Sequence, residues 1–351
     1  MNDMSQPHPN LFAGPPRPWL LADIGGTNAR FGWLTSGCET VAHVQTLPTA
    51  GHADPAAAAR HYLEGLAERL GAGWQRPRAA ALAVATAVTG DHVSLTNSGW
   101  AFSCAATQAA LGLDELAVLN DFEALALSLP HLQPQQLQRV GPVRQGPAGA
   151  AMAVIGPGTG LGVAGIMHAG DRWVALPGEG GHSSLSAADD YEAALMSAVR
   201  REHAHVSAER LLSGIGLPVL HQAVAAVAGQ VAPVLTAEQI VERGLAGSDA
   251  LCVQALDSFC ALLGSFAGNV ALMLGARGGV FIGGGIVPRL GERFGSSRFR
   301  ERFEAKGRFA DYLAAIPTAV ITDTLVALRG CAVALEQRSA ASPVACHPSR
   351  A

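Results

Sequence analysis

The sequence predicts an α/β protein made of two related halves that face each other across a cleft, and three observations predict it. A strand, a glycine-rich turn and a second strand occur near residue 25 and again near residue 158. Both repeats are followed by further strands and helices, as a duplicated unit would be. Residues 133–149, rich in Pro, Gln and Gly, lie just after a natural hinge between the halves. A chain of 351 residues suits two domains, at roughly 100–200 residues each.

The elements follow in order. Apolar runs bounded by turn residues predict strands over 18–24, 28–35 and 40–47, with Gly25-Gly26 as the first turn. Helical spacing of Ala58, Tyr62, Leu66 and Leu70 predicts a helix over 55–70, with Arg60, Glu64 and Glu68 on its outer face. Strands are expected over 80–88 and 92–96, then a short helix capped by Ser103. The run ELAVLND supplies a strand ending at Asp121, followed by helix from Phe122. In the second half, residues 151–168 read as strand, glycine turn and strand, and 172–182 as a third strand running into a loop. Helices are predicted over 189–202, 207–213, 216–228 and 248–274. Another opens at Thr236, where Gln239 stands three residues on in a capping-box pattern. Residues 278–285 form a strand meeting a second run of glycines, with helix after Pro288. A last strand over 318–322 leads to Asp323, which caps a final helix over 324–336.

Composition narrows the function. A formal net charge of -4 with no basic run gives no electrostatic footprint for nucleic acid. Six scattered cysteines without a C-x-x-C pair fit reduced thiols in a cytoplasm rather than a disulfide framework or a zinc site. Cys252 and Cys260, eight apart on one apolar helix, read as small core residues. The stretch from Gln145 to Gly170 carries no formal charge, but Pro147, Pro157 and repeated glycines break it, so no membrane span is expected there. Residues 1–17 lack the basic and apolar regions of a secretory signal and read as a disordered, Pro-rich extension. Residues 338–351 read as a dispensable tail.

Consecutive glycines let backbone N–H groups converge on a phosphate, although one such turn alone is as often a plain hairpin. Two turns at equivalent places of a repeat, the first preceded by the strand-terminal Asp23, favour a phosphate cradle. A carboxylate beside such a cradle suits Mg²⁺, which keeps waters and takes only one or two carboxylates. Other phosphate devices are excluded. The single lysine, Lys306, sits in EAKGRF and makes no Walker A loop. On a charged helix expected to be exposed, it is also a poor Schiff-base lysine. The spacing Gly160, Gly162, Gly165 runs into a strand rather than a helix, against a dinucleotide site. No G-x-S-x-G elbow occurs.

With these motifs in order, LADIGGTNARFGWL resembles the first phosphate loop of the actin-like ATPase superfamily and AVIGPGTGLGVA its second, while GGVFIGGGIVPR resembles its adenosine segment. Between them TNSGWAFS, LAVLNDFEALALSLP, LPGEGGHSSL and HVSAERLLSGIGL resemble the bacterial glucokinase family, over nearly the whole chain. The resemblance implies two actin-like (ribonuclease H-like) α/β domains flanking a cleft. The smaller would span 18–132 and be completed by the helix over 323–337, and the larger would span 133–322. It implies glucose and Mg-ATP as ligands, glucose 6-phosphate as a product feeding glycolysis, a cytoplasmic location and a homodimer.

Carried over by residue, the family's sugar site falls on Asn97, Asn120, Asp121, Glu179, His182 and Glu209, with Asp121 as the catalytic base. The nucleotide site falls on Ala22, Asp23, Ile24, Gly25, Gly26 and Thr27, on Gly158, Thr159 and Gly160, and on Gly283, Gly284 and Gly285. Asp23 would hold Mg²⁺ through water. The related repressor and kinase subgroup places a cysteine cluster after the Glu-x-x-His loop; here SSLSAADDYE follows His182, so its zinc is not expected.

Plainer roles exist for each residue. Asp121 could serve only as a helix cap, His182 could be a surface histidine, and Glu209 could be a helix-surface acid paired with Arg210. Three other readings of the whole chain stand beside the kinase: a broader hexokinase, a non-catalytic sugar-responsive member of the same fold, and an actin-like or chaperone-like ATPase. The last does not account for Asn120-Asp121 together with Glu179-x-x-His182.

Overall fold

The computed structural model describes residues 18–35, 38, 40–95 and 98–341; the expected extension over 1–17, Asn97 and the tail beyond residue 341 lie outside them. The chain divides into two compact units. One comprises the described residues up to Ser128 with those from Leu325 onward, and the other spans Leu129–Thr324.

In the first unit the strands are β1 (Trp19–Ile24), β2 (Asn28–Leu34), β3 (Ala42–Pro48), β4 (Ala79–Val84), β5 (His92–Ser94), β6 (Ala101–Ser103) and β7 (Glu115–Asn120). Its helices are α1 (Pro55–Leu70), α2 (Cys104–Leu111) and α3 (Asp121–Ser128). The main sheet runs β3-β2-β1-β4-β7, with β1, β4 and β7 parallel and β2 and β3 antiparallel. The strand expected over 80–88 stops at Val84, because the amides of Ala85 and Thr86 turn back to the carbonyls of Ile24 and Val84. Trp33, Phe31 and Tyr62 anchor one core between sheet and α1, and all three are fully buried. Phe31 and Tyr62 stack at 5.4 Å between ring centroids.

The second unit repeats the same grammar. Its strands are β8 (Leu137–Arg139), β9 (Met152–Pro157), β10 (Leu161–Ala169), β11 (Arg172–Gly178), β12 (Gly279–Ile282) and β13 (Thr318–Ile321). The sheet order β11-β10-β9-β12-β13 matches that of the first unit strand for strand, with β8 added beside β13. Helix α7 (Ala250–Leu274) packs on it, and α5 (Gly216–Val227) and α6 (Ala237–Ala246) pack on α7, with α4 (Asp190–Arg200) against α5. Shorter turns follow as α8 (Val287–Leu290), α9 (Glu292–Gly295), α10 (Phe299–Glu304) and α11 (Ala310–Ala314). The capping box at Thr236 forms as the sequence suggests, Gln239 N–H donating to Thr236 Oγ1 and Thr236 N–H to Gln239 Oε1 at 3.0 Å.

α7 is long and apolar enough to cross a bilayer by composition alone, yet it runs through the core, with Leu256, Phe259, Leu262 and Leu263 fully buried. Cys252 and Cys260 are buried on it, as small core residues should be. α10 lies against it through Phe299 and Phe303 and sends Arg302 to Glu192 and Asp189. Asp189 also caps α4, so one ion network ties a helix start to the core.

Lys306 departs from expectation. It lies past the end of α10 rather than on a helix, half-buried, with Nζ donating to Ser265 O at 2.9 Å, and burial pulls its pKa down. The chain then returns to the first unit as α12 (Val326–Ala341), which begins two residues later than expected. Asp323, ahead of it, takes the Gln136 Nε2 amide at 2.6 Å.

Candidate active site

In the first unit three parallel strands end together. Ile24 is level with Val84, and Val84 with Asn120. The first glycine turn therefore leaves the same sheet edge as Asn120-Asp121, with β4 between, about 10 Å away at the usual strand spacing. In open α/β sheets ligands bind at the carboxyl ends of the strands.

The turn itself is tight. Gly25 N–H donates to Asn28 O at 2.9 Å, closing the β1–β2 hairpin. Thr49, just past β3 and buried, grips the turn's carbonyls: its Oγ1 donates to Gly26 O and its amide to Thr27 O, each at 2.9 Å. With those carbonyls held down, the amides of Gly26 and Thr27 have no acceptor among the described residues and remain as donors. Thr49 was not among the residues the sequence singled out; its signal, a hydroxyl just after a strand that pairs with the turn's own strand, is legible only once the pairing is known.

Asp23 reaches this edge at the end of β1. Burial raises its pKa, and Arg30, whose Nη1 lies 3.5 Å from Oδ2, draws it back only in part. A carboxylate so placed gains from a nearby cation, and an oxygen donor beside phosphate-binding amides is the set Mg²⁺ prefers. Asp23 therefore fits a magnesium site.

Asn120, rather than Asp121, caps α3. Its Oδ1 accepts from Phe122 N–H at 2.9 Å and Glu123 N–H at 3.3 Å, while its Nδ2 donates to Thr86 O at 3.1 Å. Asp121 is the first residue of the helix, inside the cap that Asn120 makes, and its Oδ1 accepts from the adjoining Phe122 N–H at 2.9 Å. Asn120 retains one N–H for a ligand. Asn97 is outside the described residues.

The second unit carries the other groups. β9 ends in Gly158, Thr159 and Gly160, and Gly158 N–H donates to Gly160 O at 2.9 Å. The adjacent parallel strand β12 ends in Gly283–Gly285, held by Gly283 N–H to Ile155 O at 2.8 Å. Gly284 has φ +77°, and a Cβ there would run into the Pro157 carbonyl, so only glycine fits both demands. Both glycine runs thus leave one edge of one sheet.

Glu179 precedes the 3₁₀ turn Gly180–His182 and His182 ends it, with His182 Nε2 3.9 Å from Glu179 Oε2. His182 Nδ1 lies 3.8 Å from Glu209 Oε1. The helix expected over 207–213 does not form. Leu212 N–H reaches Ala208 O at 2.8 Å, but Leu211 N–H goes to the same carbonyl only three residues back and Ser213 Oγ takes Glu209 O, leaving a series of turns; the amides of Ala208 and Glu209 donate to Ser183 O and Gly181 O at 2.9 and 2.8 Å. Glu209 accordingly does not pair with Arg210. Its Oε2 accepts Leu161 N–H at 2.8 Å, at the foot of the second glycine turn.

His182 and Glu209 line a cavity of about 360 Å³ together with Glu202, His203, His205, Ser207 and Arg210. These five were not selected from the sequence, although REHAHVS is a visibly polar, histidine-rich stretch. His205 Nε2 is hydrogen-bonded to Ser184 Oγ at 3.0 Å. Elsewhere in this unit His221, Asp249 and Cys252 bring three ligand-type atoms within 4.8 Å of one another, but Arg243 already stands 4.0 Å from the Asp249 carboxylate and supplies the cation there.

A family model described as Glucokinase matches residues 20–338. A protein named glucokinase from Paramagnetospirillum magneticum is 50% identical over 314 residues, 89% of this chain and 96% of its own. One from Aromatoleum aromaticum is 48% identical over 319 residues, 91% of this chain and 95% of its own. The crystal structure of a glucokinase from an Antarctic psychrotroph superposes with a TM-score of 0.83 at 39% identity, covering 91% of this chain and 99% of that one.

Proposed function

The chain belongs to the glucokinase family, and from that premise we infer that it transfers the γ-phosphoryl group of ATP to the 6-hydroxyl of glucose, giving glucose 6-phosphate and ADP. It is an ATP-dependent sugar kinase on an actin-like α/β fold. The observation that supports the assignment of its chemistry is the shared sheet edge: Asp121 emerges one strand away from the turn whose amides are free to bind phosphate.

Asp121 is the catalytic base. A carboxylate is too weak to ionise an alcohol beforehand, so Asp121 orients the 6-hydroxyl and takes its proton late, as the oxygen attacks phosphorus in a loose transition state. Asn120 donates its remaining N–H to a sugar hydroxyl and fixes Asp121 through the cap and Thr86. Glu179 and Glu209 accept from sugar hydroxyls, and His182 adds a ring nitrogen. A site built of such groups rejects sugars that leave one unpaired. Gly26 and Thr27, with Gly158, Thr159 and Gly160, bind the phosphates, and Gly283–Gly285 the adenosine. Asp23 would hold Mg²⁺, and that ion, when bound, would neutralise charge on the phosphate oxygens. The five described cysteines are free thiols, which supports a reducing, cytoplasmic setting.

The test is a coupled assay of sugar 6-phosphate formation with Mg-ATP and glucose, mannose, fructose and N-acetylglucosamine in parallel. Glucose is expected to give the highest kcat/KM. Equal use of several sugars would replace this reading with a broad hexokinase, and no ATP-dependent product would remove it.

A further inference from the structure

One short segment of the second unit touches both of that unit's loops. Ala208 and Glu209 donate their amides to the Glu-x-x-His loop, at Ser183 O and Gly181 O. Five residues on, Gly214 N–H donates to Gly158 O at 2.8 Å and Ile215 N–H to Thr159 O at 3.4 Å, within the glycine turn. The Glu209 side chain makes the same crossing. Oε2 accepts Leu161 N–H at 2.8 Å, and Oε1 faces His182 Nδ1 at 3.8 Å. A Cβ placed on Gly160 would come 2.5 Å from Oε2, so the carboxylate is seated against the turn. Ser213, wholly buried, pins the middle: its Oγ donates to Glu209 O at 2.7 Å and accepts Gly216 N–H at 3.0 Å.

We propose that Glu209 is a positioning residue for the second glycine turn, so that a sugar seated on its open oxygen fixes the amides that turn offers to ATP. The proposal rests on the functional reading above and adds a physical link to it. Oε2 is already committed to Leu161, whereas Oε1 has only the His182 ring at 3.8 Å, on a side chain that is 22% exposed. A sugar hydroxyl donating to Oε1 restricts the side chain to the rotamer that holds Leu161. The turn's ordering is then supplied before the nucleotide arrives, and the second ligand binds at lower entropic cost. Linkage makes the effect reciprocal: ATP must tighten sugar by the same factor.

Calorimetry with Mg²⁺ and the non-hydrolysable analogue AMP-PNP, with and without saturating glucose, reads this directly. In the natural chain glucose is expected to tighten AMP-PNP about tenfold, within the ordinary range of coupling. Glu209→Ala should bring that factor close to one even at saturating sugar. Glu209→Gln, which keeps an oxygen for Leu161 N–H and is isosteric, should retain most of it while binding glucose more weakly. Ser213→Ala contacts neither ligand loop. It should lower the coupling several-fold with the glucose Kd, measured alone, near that of the natural chain. Full coupling in Glu209→Ala or in Ser213→Ala would overturn the proposal. So would a natural chain that binds both ligands independently, with the kinase reading intact; a chain that binds neither would overturn both.

Discussion

Replacing Asp121 by Asn separates chemistry from architecture at one atom. The side chain keeps its size and its Oδ1, so the contact with Phe122 N–H at 2.9 Å survives. The cap of α3 is made by Asn120, so the helix start is untouched. The helix start loses one negative charge in its first turn, worth about 0.3–1 kcal/mol. What is lost for catalysis is a general base, typically about 10²–10⁴ in rate. At 1.36 kcal/mol per decade that amounts to roughly 2.7–5.5 kcal/mol of transition-state stabilisation. The expected result in a coupled assay is a kcat lower by that factor, with Tm within a few degrees and glucose affinity by calorimetry changed little. Asn120→Ala is the contrasting case. It removes the cap, about 0.5–2 kcal/mol, and the bond to Thr86 O, about 0.5–1.5 kcal/mol, so it should lower Tm by several degrees as well as kcat. An Asp121→Asn enzyme that turns over normally would refute the base assignment. One that melts early would refute the claim that Asn120 carries the cap.

Asp23→Ala should raise the KM for Mg-ATP at least tenfold and shift its magnesium dependence, while glucose binding by calorimetry changes little; the reverse pattern would exchange the roles of the two units. Thr49→Val deletes the hydroxyl on Gly26 O, worth about 0.5–1.5 kcal/mol, and should raise the ATP KM several-fold without moving the glucose KM; steady-state kinetics in both substrates checks it. His221 is fully enclosed, and neither ring nitrogen has a partner among the described residues. Burial lowers its pKa below the ordinary 6.5, against a smaller pull upward from Asp249. Below pH 6.5 the unfolded chain therefore takes up a proton that the folded chain refuses, and stability falls with pH by up to about 1.4 kcal/mol per unit. Urea titrations from pH 7.5 down to about 5 should show that loss, and His221→Leu should flatten it.

The two glycine turns, the strand-terminal acids and the capping box at Thr236 were legible in the sequence because each is a local device. A turn needs particular residues in succession, and a cap needs a side chain three positions from an amide. α1 was read over residues 55–70 and forms there, for its apolar period is internal to it. The errors share another cause. Residues 207–213 have the composition of a helix, but Gly158 and Thr159, distant in sequence, take the amides of Gly214 and Ile215 that a continuing helix would turn back to residues 210 and 211. An apolar run ending at Asp121 leaves open that Asp121 caps the helix, yet the cap falls to Asn120, held one residue earlier by Thr86, 34 positions away.

By itself, then, the sequence determined which segments turn tightly and which chemical groups are available there, since these follow from glycine, carboxylate and hydroxyl spacing along a few residues. Only the tertiary structure decided what holds each group in place: Thr49 on the first turn, Asn120 beneath Asp121, and Glu209 on Leu161 across 48 positions. Hydrogen bonds over such separations depend on which strands pair and in what register. Those choices are made by the burial of whole sheets rather than by any local pattern.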